Sequence, residues 1–247
     1  MILLTPFFLT LAIYVCAAII PAIFLMKKIY ELDSFEKEPT DLLLSCVIMG
    51  VLAAFLAIVL EMIGQTILSH SGVLPNSRQY VIILAFCIVA VAEEGAKFFF
   101  LYRRTWREPN FDYRFDGIVY SAYVSLGFAA FENIKYVFSY GLGVAFPRAI
   151  LSIPGHLGFA IVFGYFYGRA RISASLGNPG RSKANLVVGY ICAVLLHGFY
   201  DTCAMTGTST STAIFIVFVV VMYIFIIWLV KHESKTNQPI YGPHLFS

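Results

Sequence analysis

The chain has 247 residues, of which 60% are hydrophobic and only 13% are charged, and its formal net charge is +3. A soluble domain typically carries about 25% charged residues, so the composition excludes an ordinary soluble protein and indicates a protein whose solvent is the membrane. The small positive charge gives no indication of nucleic-acid binding, and we expect none.

The hydrophobic runs predict an all-α, polytopic bundle of about seven transmembrane helices, in a single membrane domain that covers residues 1–247. A span needs about 20 mostly apolar residues. The segments that meet this requirement are 3–26, 42–65, 79–102, 115–138, 146–168, 185–206 and 212–230. A short polar tail, residues 231–247, follows the last of them. We therefore expect a multi-pass protein of the cell membrane, surrounded by lipid.

The lysines and arginines between the spans predict the orientation of the chain. Thirteen of them lie after the first, third and fifth spans and in the tail, whereas only Arg78 and Arg148 lie on the opposite side. Basic residues are enriched in cytoplasmic connections, so we expect an outside N-terminus and a cytoplasmic C-terminus. We also expect Lys135 and Arg148, near the outer ends of their spans, to extend toward the interface.

Polar side chains inside four consecutive spans are the strongest functional signal. A charge at the centre of a bilayer costs about 2.5–3.5 kcal/mol on insertion scales, so such residues need a partner or a function. The third to sixth spans carry them in the segments "EEGAK", "FENIKY", "PGHLGFA" and "HGFYD". The candidate catalytic residues are Glu93, Glu94, Glu132, Asn133, His156, His197 and Asp201. Four helices that converge on one wet cavity would account for this pattern.

Helical spacing supports such a convergence. Residues four apart share one face of a helix, as Glu93 does with Lys97 and His197 with Asp201. Glu94 is turned by about 100° from Glu93, so one glutamate can face a cavity while the other braces a neighbouring helix. The structural alternatives are a buried ion pair of the glutamates with Lys97 and a contact of His197 with Asp201 that only joins helices.

Carboxylates and imidazoles in one site are typical of water activation, and two routes remain open. In the first, a glutamate takes a proton from water, and a histidine or Asn133 stabilises the oxyanion. In the second, His156, His197 and Asp201 hold a metal ion, for which zinc is the candidate, and a glutamate is the base. The sequence has no H-E-x-x-H motif, so this route depends on residue types alone. Glu132 is expected to shape the site more than to react.

The motifs taken together resemble those of a known family. "EEGAK" fits an E-E-x-x-K pattern, "FENIKY" fits F-E-N-x-x-Y and "HGFYD" fits H-x-x-x-D, in that order and on successive spans. This ordered set resembles the PrsW family of bacterial intramembrane proteases, which is related to the CAAX prenyl-protease and bacteriocin-processing membrane proteins. The resemblance covers roughly residues 27–205, and the early "EKEP" departs from the doubled Glu-Pro pattern of the family.

The resemblance implies an intramembrane endopeptidase in which Glu93, Glu94 and His197 are required for activity. It also implies a single-span membrane protein as substrate, an anti-sigma factor that is cut first outside the cytoplasm, so that later proteolysis releases a stress-response sigma factor. It leaves metal dependence open. The alternative class is a proton-coupled transporter with buried carboxylates. Such carriers usually have repeated halves, and we find no repeat in this sequence.

Overall fold

The computed structural model describes residues 4–75 and 77–240, with the backbone alone for residues 4–7. Within these ranges the chain forms seven long helical segments, and each overlaps one of the predicted spans. Their bounds are α1 Leu4–Leu32, α2 Thr40–Ser69, α3 78–105, α4 Asp116–Tyr140, α5 142–175, α6 Pro179–Thr206 and α7 Ser209–Lys235. The prediction of an all-α bundle is confirmed.

Five of these segments, α1, α2, α5, α6 and α7, have the length and apolarity of a membrane-spanning helix. The outward face of α7 illustrates the reason, because Val217, Val221 and Ile224 are all exposed on it. Backbone groups inside a bilayer must be paired within the protein, and a helix pairs them along its own length. A multi-pass membrane protein is therefore confirmed, while membrane crossing by α3 and α4, which carry more polar residues, stays a prediction.

The two ends of the chain fall partly outside the described residues. This applies to residues 1–3, which include the start of the first predicted span, and to residues 241–247 of the predicted tail. The beginning of that tail continues α7 as far as Lys235. Beyond it, Pro239 pairs with Tyr113 in a backbone bridge, which holds this part of the tail against the connection between α3 and α4.

Two helices change their winding shortly before they present a predicted site residue. In α3 the residues Ile83–Ala90 are π-helical, and Glu93 follows them. In α5 the residues Arg148–Ser152 are π-helical, and His156 follows them. π-Helical turns are rare and occur frequently at functional sites. The wider turn changes the direction in which the following side chains point.

The helix α4 lies at the centre of the bundle and is buried along most of its length. It approaches α2 and α5 so closely that glycine is required at the crossings. A Cβ atom on Gly50 of α2 would lie 2.0 Å from the carbonyl oxygen of Val124, and one on Gly117 would lie 2.6 Å from the backbone nitrogen of Gly168. Small residues permit such approach in membrane bundles. These crossings hold α4 tightly between α2 and α5.

Candidate active site

Four buried side chains from three helices form the centre of the site. Glu93 and Glu94 come from α3, His156 from α5 and His197 from α6. One ligand atom of each lies within 4.8 Å of those of the other three. The structure thus brings together four of the seven candidate residues in one group, which we call the Glu–His group.

Lys97 lies against the Glu–His group. Its Nζ donates to Glu93 Oε2 at 3.2 Å and to Glu94 Oε1 at 2.8 Å, and it lies 3.1 Å from His156 Nδ1. The same Nζ lies 4.1 Å from the centroid of the Phe128 ring. The ion pair considered as a structural alternative is therefore present. One ammonium balances only one of two carboxylate charges, however, so this ion pair alone does not account for both glutamates.

His197 links the glutamates of α3 to Asp201 on its own helix. Its Nδ1 lies 2.9 Å from Glu94 Oε1. Its Nε2 lies 3.9 Å from Glu93 Oε2 and 3.3 Å from Asp201 Oδ2. The imidazole also stacks on the Phe159 ring, with the ring centroids 4.9 Å apart. These contacts on both edges and on one face fix the orientation of the imidazole.

His156 is held by Glu132, which reaches it from α4. Its Nε2 lies 3.0 Å from Glu132 Oε2, and the same oxygen accepts a hydrogen bond from Arg148 Nη2 at 2.8 Å. The other ring nitrogen, Nδ1, is thereby directed toward the glutamates and lies 4.0 Å from Glu93 Oε2. Glu132 therefore contacts the Glu–His group through the imidazole that it orients.

Arg148 is a site residue for which the sequence prediction was wrong. It does not extend toward the interface, because its guanidinium binds Glu132 and lies 3.9 Å from the centroid of the Tyr136 ring. The signal that could have identified it is its spacing from His156. The two residues are eight apart, which is about two helical turns and places them on the same face of α5.

Asn133 connects α4 to α1 and to Arg148. Its Nδ2 donates to the carbonyl oxygen of Ala18 at 2.9 Å, and its Oδ1 accepts from Arg148 Nε at 2.9 Å. The side chain is fully buried between α1 and Arg148. These bonds join α4 to α1 and to Arg148, and the role of Asn133 in stabilising an oxyanion stays a prediction.

A cavity of about 580 Å³ opens beside the Glu–His group. Its walls include Glu93, Glu132, His156, His197 and Asp201. Glu94 lines a separate small pocket with Phe98 and Ser121. Further wall residues of the large cavity, such as Gln65 and Thr212, lie near helix ends remote from the arginine-rich connections. Water and an extended peptide could therefore reach Glu93 from that end of the bundle.

The donor set fits a metal ion of the zinc type. Imidazole nitrogens and carboxylate oxygens are ligands that zinc takes. Histidines that bind a metal usually place their second ring nitrogen on a carboxylate. His156 contacts Glu132 in this way, and His197 contacts Glu94 and Asp201. Lys97 Nζ lies beside His156 Nδ1, so the ammonium must move away from this nitrogen when a metal uses it.

Comparison with known proteins gives a consistent result over most of the chain. A family profile described as "PrsW family intramembrane metalloprotease" matches residues 38–229. The chain is 32% identical to "Protease PrsW" of Oceanobacillus iheyensis, over 90% of this chain and 96% of that protein. It is 31% identical to "Protease PrsW" of Bacillus subtilis, over 92% and 96% of the two chains. The corresponding protein of Clostridioides difficile is 30% identical, over 91% and 93%. No solved structure matches the chain.

The matched residues include every candidate catalytic residue and all the helices that carry them. The relatives are matched over nearly their whole length, so the resemblance is not confined to one motif. The chain is therefore a membrane protease, and it belongs to the PrsW family of intramembrane metalloproteases.

Proposed function

We propose that this protease hydrolyses a peptide bond of a single-span membrane protein, near the extracytoplasmic side of the membrane. The observation that carries the proposal is the Glu–His group, whose ligand atoms lie within 4.8 Å of one another beside a cavity. A carboxylate and imidazoles next to water are the components that hydrolysis requires. The family resemblance supports an anti-sigma factor as the substrate, cut in the first step of its degradation.

Glu93 is the proposed general base, because it belongs to the Glu–His group and, unlike Glu94, lies on the wall of the large cavity. It takes a proton from the attacking water and passes it to the leaving amine. Glu94 faces away from that cavity and fixes Lys97 and His197 by hydrogen bonds. In this proposal Glu93 takes part in the reaction, and Glu94 positions Lys97 and His197.

The two imidazoles are the proposed nitrogen ligands of a metal ion. The bond to Glu132 uses Nε2 of His156, so its Nδ1 is directed toward Glu93. Both nitrogens of His197 lie beside carboxylates, Nδ1 beside Glu94 and Nε2 beside Asp201. The metal ion that the family description implies would be held by His156, His197 and a glutamate of the Glu–His group, and it would supply Lewis-acid activation of the water and the scissile carbonyl. Asp201, the third ligand predicted from the sequence, lies outside this group and contacts His197 Nε2, so its proposed role is to orient that imidazole. Zinc is the proposed metal. Arg148 keeps Glu132 in place and so keeps His156 oriented.

The test is hydrolysis by purified components. The protein and a single-span anti-sigma factor from the same cell are mixed in detergent, and the fragments are identified by mass spectrometry. We expect one cut near the extracytoplasmic end of the substrate span, loss of cleavage with a strong zinc chelator, and recovery when zinc is added back. An uncut substrate would contradict the substrate assignment, whereas cleavage that resists every chelator would contradict the metal.

Access from outside the cell requires the predicted orientation, which two loop cysteines can test. Leu74 lies between α2 and α3 and is 74% exposed, and Leu176 lies between α5 and α6 and is 73% exposed. In intact cells, a membrane-impermeant thiol reagent should label Leu74→Cys and not Leu176→Cys, because the arginine-rich end faces the cytoplasm. The wild-type protein, with its five native cysteines, is the control for background labelling. The reverse pattern would contradict both the orientation and the proposed side of cleavage.

A further inference from the structure

A second group of buried acids lies at the end of the bundle opposite the cavity. Asp33 follows α1, Glu38 lies just before α2, and Asp116 is the first residue of α4. One carboxylate oxygen of each lies within 4.8 Å of those of the other two. We call these residues the acidic triad. Three carboxylates at such distances repel one another unless positive charge or protons are shared among them.

Hydrogen bonds to the acidic triad come from neutral donors. Glu38 Oε2 accepts from the Tyr120 hydroxyl at 2.6 Å. Asp116 Oδ2 accepts from the backbone nitrogens of Asp112 and Tyr113, at 3.1 and 2.7 Å. These bonds orient two of the three carboxylates and define one side of the site. They supply no positive charge to offset the three neighbouring carboxylates.

Asp33 supplies an independent indication of a missing ligand. Its side chain is 1% exposed, yet neither Oδ1 nor Oδ2 has a hydrogen-bond partner among the residues that the structure describes. Lys37, on the same connection, directs its Nζ to the main-chain oxygens of Tyr30 and Asp33. Buried polar groups are normally paired, and a buried carboxylate with two unpaired oxygens needs a specific explanation.

We propose that Asp33, Glu38 and Asp116 bind a hard divalent cation of the Mg²⁺ and Ca²⁺ class. Such cations take oxygen ligands, and carboxylates are their principal protein ligands. The absence of nitrogen and sulfur donors from the triad distinguishes it from a zinc site. The bound cation connects the loop between α1 and α2 to the first turn of α4, and it thereby fixes the central helix at this end.

This site is separate from the catalytic one. Asp116 and Glu132 are sixteen residues apart on α4, which corresponds to about 24 Å along the helix. The cation at the acidic triad therefore touches neither the substrate nor the Glu–His group, and its role is to hold three elements together. The proposal does not depend on the proposed substrate or on the assignment of the base.

Binding of Mn²⁺ alone tests the proposal, because Mn²⁺ takes the same oxygen ligands and its free concentration is measured by electron paramagnetic resonance. Purified, chelator-treated protein in detergent is titrated, with Mg²⁺ and Ca²⁺ as competitors. We expect Asp33→Asn to bind one fewer Mn²⁺ per chain than the wild type and to lose the rise in melting temperature that the cation produces. Glu36→Gln is the matched control, because this exposed acid lies in the same loop and its change removes the same charge.

A further variant separates the acidic triad from the catalytic site. His197→Ala removes an imidazole of the Glu–His group and should still bind one Mn²⁺ that Mg²⁺ or Ca²⁺ displaces. This variant also tests the proposal if Asp33→Asn does not fold. Equal Mn²⁺ binding by wild type and Asp33→Asn would overturn the proposal. A second result would also overturn it: no cation raises the melting temperature of the wild type, and Asp33→Asn melts at a higher temperature than the wild type. Shared protons, and not a cation, would then hold the three acids together.

Discussion

Glu93→Gln and Glu94→Gln should each abolish substrate cleavage while leaving expression and membrane insertion intact. An amide at position 93 keeps the shape of the side chain but cannot take a proton from water, and general-base catalysis typically contributes about 10²–10⁴-fold to a rate. An amide at position 94 lacks the charge that holds Lys97 and His197 in place. Glu93 is the group on the cavity wall, and Glu94 is bonded to both Lys97 and His197. The measurement is the rate of cleavage of the single-span substrate by equal amounts of purified protein.

The two variants should differ in a second measurement. Glu94→Gln removes the charge that holds both Lys97 and His197, so we expect a lower melting temperature for it than for Glu93→Gln. Glu61→Gln makes the same change in an acid of α2 that also lines the cavity but lies outside the Glu–His group, and it should retain most of the activity. If Glu93→Gln and Glu94→Gln both cleave at the wild-type rate, the assignment of the α3 glutamates to the reaction is wrong.

The spans could be predicted from the sequence because a bilayer sets the length of an apolar segment. The predicted segment 42–65 lies within α2, whose bounds are Thr40–Ser69. Helix ends were less accessible to prediction. The last predicted span stops at residue 230, whereas α7 continues to Lys235, because charged residues outside the hydrocarbon can prolong a helix without any hydropathy signal. The π-helical turns of α3 and α5 had no sequence signature that we recognised.

Within the site, spacing along one helix predicted which residues share a face, as for His197 and Asp201. It could not predict which neighbouring helix each face meets. For that reason the sequence did not reveal that Arg148 binds Glu132 or that Asn133 is engaged by α1. The sequence did not reveal the acidic triad either, because spacing along one helix does not show which distant elements meet. Asp116 lies far along the chain from the connection between α1 and α2.

His197→Ala should remove both cleavage and the catalytic metal. This imidazole is in contact with both glutamates and with Asp201, so its loss takes away a ligand and the contact between α6 and the glutamates of α3. Zinc sites in proteins have three or four protein ligands, so the loss of one imidazole leaves too few for tight binding. The measurements are the elemental zinc content of purified protein and the cleavage rate. His70→Ala is the control, because His70 is exposed in the loop after α2 and should change neither quantity.

Asp201→Asn should have a smaller effect on metal content than His197→Ala. The amide can still contact His197 Nε2, which lies 3.3 Å from Asp201 Oδ2. Loss of a residue that orients a metal ligand typically costs about 10–100-fold in metal affinity or activity. If the site works without a metal, both variants should still lose activity while chelators leave the wild type unaffected. The shared site of α3 and α6 is contradicted if His197→Ala, folded and inserted in the membrane, cleaves its substrate at the wild-type rate.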